Sequence, residues 1–170
     1  SCIHEYKPAS FKERKTENEN EVFHISNQDF TYDQAKCKCA AYNSRLAKKE
    51  EVIKAYNNGA NWCSYGWSEG QNAYYPVQKC VWDDKQSQES TKDTCGLKPG
   101  INGGYFANPI LKFGANCFGI KPKGSLAIPK KPYCPPQNVC SLKKNKQSSN
   151  RLDTDEISPY NNDQWSKYIN

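Results

Sequence analysis

Trp62-Cys63-Ser64-Tyr65-Gly66-Trp67 and, further on, Cys95-Gly96-Leu97-Lys98-Pro99-Gly100-Ile101 are the two phrases on which the reading of this chain turns. Each sets a cysteine near glycine, with aromatic residues crowded around the first. Cys39 lies upstream of both and Cys117 downstream, so these four cysteines are spread over residues 39–117, a span that also holds Cys80. The whole chain carries nine cysteines in 170 residues but only two histidines. Disulfides are therefore the expected use of the thiols, and an oxidising compartment the expected place of maturation. No CxxC pair occurs, and Cys37-Lys38-Cys39 is a poor ligand spacing for one tetrahedral ion, so no metal site is expected.

Outward from these phrases the chain divides in three. Residues 1–20 hold a mixed-charge run, Phe11-Lys12-Glu13-Arg14-Lys15, without apolar periodicity, and read as a solvated N-terminal arm. Residues 21–120 hold the structured texture. A short strand is expected through Val22, Phe23, His24 and Ile25. Thr31 and Gln34 then stand at capping-box spacing before a helix running from Tyr32 to about Tyr42, whose buried face carries Ala35, Cys39 and Tyr42. A second helix over residues 49–57 buries Val52, Ile53 and Tyr56 and stops at Asn58-Gly59. Strand candidates follow at 65–67, 73–77, 104–106 and 116–118, separated by glycine- and asparagine-rich turns. Two short helices against small antiparallel sheets make an α+β module. Residues 121–170 are an extended, proline- and lysine-rich C-terminal arm.

Together with Val22-Phe23-His24, Tyr75-Pro76-Val77 and Asn116-Cys117-Phe118, the two opening phrases resemble the Link module of hyaluronan-binding proteins, which has a C-type-lectin-like fold. The resemblance covers residues 21–120, with 81–94 as an insertion. It implies the disulfides Cys39–Cys117 and Cys63–Cys95 and leaves Cys2, Cys37, Cys80, Cys134 and Cys140 unassigned. It also implies a glycan groove. Tyr75 and Tyr105 stand where the family stacks tyrosines on sugar rings, and Trp67 adds aromatic surface. Three positions depart from the family pattern. The loop 26–29 is shortened where a Lys-Tyr pair belongs, Leu97 replaces an aromatic residue, and Asn108 replaces an arginine.

Charge and tail point elsewhere. Between Asp93 and Asp153 there are ten lysines and arginines and no acid, a segment suited to an acidic protein surface or an acidic glycan. These cations lack arginine forks and interleaved aromatics, so no specific nucleic-acid binding is expected. The ending, with Tyr160, Trp165 and Tyr168, resembles tails of cysteine-rich virion proteins of large DNA viruses. These three residues are the expected partner-docking anchors.

The first expectation for function is accordingly a non-catalytic structural protein docking into a larger assembly, a minor capsid or cement protein. The alternative is a secreted or surface lectin-like module that binds an acidic glycan such as hyaluronan. No cofactor and no catalytic residue is expected, and no apolar run is long enough to span a bilayer. The chain opens at Ser1 and lacks methionine, which leaves room for a removed signal or anchor.

Overall fold

The computed structural model describes residues 3–6, 20–121, 155–157 and 166–169. At its centre lies a six-stranded sheet with the order β2-β7-β4-β5-β6, where β2 is Glu21–Phe30, β4 Gly66–Ser68, β5 Asn72–Val77, β6 Gly100–Tyr105 and β7 Phe113–Gly119. The short β3, Arg45–Leu46, pairs with β7 off this path. The ladders are antiparallel except β4 with β7, so the sheet is mixed where small antiparallel sheets were expected. A separate ladder joins β1, Ile3–Tyr6, antiparallel to β8, Ser166–Ile169, so the two arms of the chain meet.

Helix α1, Tyr32–Ala41, starts where its cap dictates. The Gln34 amide donates to Thr31 Oγ1 at 3.2 Å, and the Thr31 amide donates to Gln34 Oε1 at 3.0 Å. Its inward residues Ala35, Cys39 and Tyr42 enter one core with Phe23, Ile25, Phe30, Trp67 and Ala115. Helix α2, Lys49–Asn57, buries Val52 and Ala55. Ile53 instead faces solvent and Tyr56 is half-buried, because the sheet is met by the stripe through 52 and 55. A third helix, α3, Lys79–Gln86, occupies the start of the insertion, where no helix was expected. Two of its eight residues are adjacent aspartates, and only Val81 among its apolar residues is buried, so periodicity gives little signal.

Two disulfides cross the module. Cys39 joins Cys117 with Cα atoms 5.4 Å apart, and Cys63 joins Cys95 at 4.8 Å, the pairs the resemblance implies. They close loops of 78 and 32 residues. In the chain-entropy account each such closure stabilises the native state by about 4 kcal/mol. Cys37 and Cys80 are also disulfide-bonded.

Residues 155–157 return to this module. Ile157 bridges Ile25 antiparallel and joins the α1 core, while Asp155 is buried against Lys38 and Tyr42. Composition left the C-terminal arm to be held by a partner or by disulfides; at this point the module itself holds it.

Candidate glycan-binding face

β5 and β6 place Tyr75 opposite Asn102, at the edge of a chain of ring contacts. Tyr65 meets Tyr75 edge-on at 4.9 Å and continues to Phe106 at 5.3 Å and Phe113 at 5.0 Å. Phe106 and Phe113 are 5.1 Å apart, and both rest on Trp67. Offset and edge-on pairs at these separations contribute beyond the area they bury. Tyr65, Phe106 and Phe113 are half-buried, so each keeps part of a ring toward solvent.

Local devices hold this face in place. Gln71 sits at φ +62°, a region few glutamines occupy. Its side-chain amide donates to the carbonyls of Phe106 and Ala107, and the Phe106 amide donates to the Gln71 carbonyl at 3.0 Å. Gly96, at φ +86°, lies so close to Tyr75 and Asn102 that a Cβ there would stand 2.7 Å from the Tyr75 hydroxyl. Asn102 Nδ2 donates to the Lys98 carbonyl at 2.9 Å. The clamped turn between Gly96 and Lys98 leaves Leu97 92% exposed. Tyr105 is 66% and Ile110 68% exposed. Lys98 and Lys112 are exposed beside Leu97 and Phe113.

The expected site residues thus fare differently. Tyr105 is at the surface. Tyr75 is only 7% exposed, with its phenol pushed up by burial and then by neighbouring Tyr65, so it presents little ring to a sugar. Trp67 is fully buried, and its indole donates to the carbonyls of Phe30 and Leu111, so it cannot stack on a ligand. Its role is to seat Phe106 and Phe113. Sequence reasoning missed those two phenylalanines and promoted Trp67 because a tryptophan in a Gly-Trp phrase carries no mark of which way it faces. The departures from the family pattern are also placed. Asn108 Oδ1 accepts from the Ile110 amide at 3.1 Å, and Asn27 Oδ1 accepts from the Glu156 amide at 2.9 Å, so both asparagines cap backbone. Tyr160 and Trp165 lie outside the described residues, and Tyr168 lies in β8.

Beneath the face is a buried polar cluster. His24 stacks on Trp62 with ring centroids 4.9 Å apart and planes 4° from parallel. Asn116 Nδ2 donates toward the Gly66 and Tyr74 carbonyls and Ser68 Oγ, which leaves Asn116 Oδ1 to accept from His24 Nδ1 at 2.8 Å. The proton therefore resides on Nδ1, and Nε2 accepts from the Ser64 hydroxyl at 2.9 Å. Burial drives the His24 pKa down to about 4, although the Asn116 bond works the other way. A serine, an imidazole and an amide in series have the connectivity of a nucleophile, a base and its orienter. Here the imidazole is sealed in the core, and the series acts as a rivet between β2, β4 and β7.

The basic segment begins inside the module. Lys121 is buried at the end of the sheet, where burial presses its ammonium down to about 7 and the charge of Glu21 partly offsets the effect. Among the described residues no group of histidine, cysteine, aspartate or glutamate side chains could hold a metal ion. Asp83 is paired with Lys79 at 2.8 Å. No described helix is long and apolar enough to cross a membrane.

Comparison with known families bears on this geometry directly. The model of the extracellular link domain matches residues 21–118. The chain belongs to the Link domain family. Among curated relatives, the versican core protein of Rattus norvegicus is 37% identical over 60 residues, which is 35% of this chain and 2% of that protein. The versican core protein of Bos taurus is 30% identical over 110 residues, 64% of this chain and 3% of that protein. The chain thus spans a small fraction of the length of these relatives. The Link match ends before the C-terminal arm, and the virion role expected from that arm has no support in these similarities.

Proposed function

We propose that this Link module is a non-catalytic, extracellular glycan-binding domain whose ligand is an acidic polysaccharide of the hyaluronan class. The reading is supported by the exposure of Leu97 and Tyr105, by the half-buried rings of Tyr65, Phe106 and Phe113, and by the exposed Lys98 and Lys112 next to Leu97 and Phe113 in sequence. A single exposed leucine is ordinary, whereas exposed apolar side chains together with aromatic rings and cations suit pyranose faces bearing carboxylates. The Link membership and the disulfides favour an extracellular, oxidising setting.

The mode of binding differs from a groove lined by arginine. Asn27 and Asn108 are committed to backbone caps, so carboxylates meet only flexible lysines at the rim. Lysine is a strongly hydrated point charge without the planar fork that pairs a carboxylate bidentately. Stacking on the apolar platforms consequently supplies most of the affinity, and the lysines supply attraction that salt screens.

Calorimetric titration with hyaluronan oligosaccharides, beside uncharged chitin oligosaccharides of equal length, tests this. Saturable binding of the acidic series, weakened but not abolished by raised salt, is the expected result. Absence of binding to hyaluronan and to other uronate polysaccharides at millimolar concentration would remove the proposal.

A further inference from the structure

The pairing of β2 with β7 is interrupted. Ile25 is in register with Ala115 and Phe30 with Phe113, so four residues of β2 face a single residue of β7 and residues 26–29 bulge off the ladder. Backbone groups freed in this way need other partners when they are shielded from water. Residues 155–157 supply them. The Ser26 amide donates to the Glu156 carbonyl at 2.8 Å, the Glu156 amide donates to Asn27 Oδ1 at 2.9 Å, and Ile25 bridges Ile157.

Both ends of this short segment are anchored in the core. Ile157 is 4% exposed and shares a cluster with Phe23, Ile25, Phe30 and Trp67. Asp155 accepts from the Tyr42 hydroxyl at 2.7 Å and lies 3.4 Å from Lys38 Nζ, with both side chains of that ion pair almost wholly buried. A buried carboxylate held by a hydroxyl and an ammonium is costly to disrupt from either side. Lys38 and Tyr42 fall within the matched Link segment, whereas their carboxylate comes from beyond it.

The bulge in turn touches the candidate face. Gln28 Nε2 donates to the Ser26 carbonyl at 3.2 Å and to the Tyr65 carbonyl at 3.1 Å. Tyr65 is the ring that joins Tyr75 to Phe106 and Phe113.

We propose that residues 155–157 form a strap that completes the sheet beyond β2, fixes the bulge at 26–28 and through Gln28 positions Tyr65. The functional unit of this chain therefore runs past the Link match to Ile157. Asp155 and Ile157 are positioning residues, and their consequence for glycan affinity rests on the function proposed above.

The test uses the full chain. Hydrogen exchange of the Ser26 amide and the ring resonances of Tyr65 are read by NMR in the wild type and in Ile157→Ala, Asp155→Ala and the milder Ile157→Val and Asp155→Asn, without any glycan. Ser26 should be protected in the wild type and exchange at least tenfold faster in both alanine variants, with the Tyr65 ring signals shifted. Ile157→Val, which keeps an apolar seat, and Asp155→Asn, which keeps an acceptor for Tyr42 but strips Lys38 of its charge partner, should exchange measurably faster than wild type but less fast than the alanine variants, and serve if an alanine variant does not fold. An unprotected Ser26 amide in the wild type, or unchanged Ser26 exchange and Tyr65 signals in the variants, overturns the strap. Hyaluronan titration of the same proteins is then a separate reading. Loss of Ser26 protection in variants of a wild type that binds no glycan would leave the strap standing and remove the proposed function.

Discussion

The phrase 62–67 feeds two regions with opposite characters. Ser64 and Gly66 belong to the rivet, where His24 and Asn116 are fully buried and both nitrogens of the imidazole are hydrogen-bonded. Tyr65, between them, belongs to the half-buried ring cluster with Phe106 and Phe113. Just before β4 the chain turns Ser64 toward His24 while Tyr65 joins the rings, so one short stretch can serve stability and recognition. The lesson is that substitutions one position apart should fail in different assays.

Gly66→Ala should have the largest effect. A Cβ at this position would run into the Asn116 side chain and come within 2.9 Å of His24 Nδ1. Neither group can retreat without losing buried hydrogen bonds. Denaturant unfolding should show a loss of at least about 3 kcal/mol, or no cooperative transition. A melting curve close to wild type would mean that the rivet is loosely packed.

Acid should act next, and on the same region. His24 titrates near 4 in the folded state against 6.5 when free, so below 6.5 the unfolded chain takes up a proton that the folded chain refuses. Stability is therefore level above about pH 7, falls as pH drops through 6.5, and stops falling on this account near 4. Between about pH 7.5 and 5, before most carboxylates protonate, the loss should be about 2 kcal/mol. His24→Gln should be less stable at pH 7 yet lack this slope. Equal slopes in the two proteins would assign the acid sensitivity to other groups.

The face should respond in the opposite way. Leu97→Ala and Tyr105→Ala remove exposed side chains, and unfolding midpoints should move by no more than the equivalent of about 0.5 kcal/mol. Each should weaken hyaluronan-oligosaccharide binding about tenfold, roughly 1.4 kcal/mol, which calorimetry can read. The smallest effect belongs to the surface pair between Arg45 and Glu51, at 2.7 Å and partly exposed. Arg45→Ala should cost below about 1 kcal/mol, including its contact over the Phe118 ring.

Much of the fold was legible because its signals are local. Thr31 and Gln34 announce α1, the cysteine phrases announce two crossings, and flanking turn residues bound β5. What escaped has no local signature. Whether Trp67 faces in or out depends on Phe30 and Leu111, whose carbonyls accept its indole proton from distant positions. The strap depends on a carboxylate meeting Lys38 across more than a hundred intervening residues, in an arm whose composition suggests extended chain. Asn116 reads as a polar residue in a strand, and only the geometry shows that it orients His24. Of the candidate face, Tyr105 was expected through the resemblance and Leu97 was named only as a departure from the family pattern, whereas Phe106 and Phe113 become part of a face only once the loop carrying 107–112 brings them within 5.1 Å.

The account stands most directly on where a glycan touches the module. An NMR titration of the isotopically labelled chain with a hyaluronan octasaccharide should shift the signals of residues 96–98, 105–106 and 111–113, and leave His24, Ser64 and Asn116 in place. Signals unmoved at saturating sugar, or shifts gathered instead along α2 around Ile53, would contradict it.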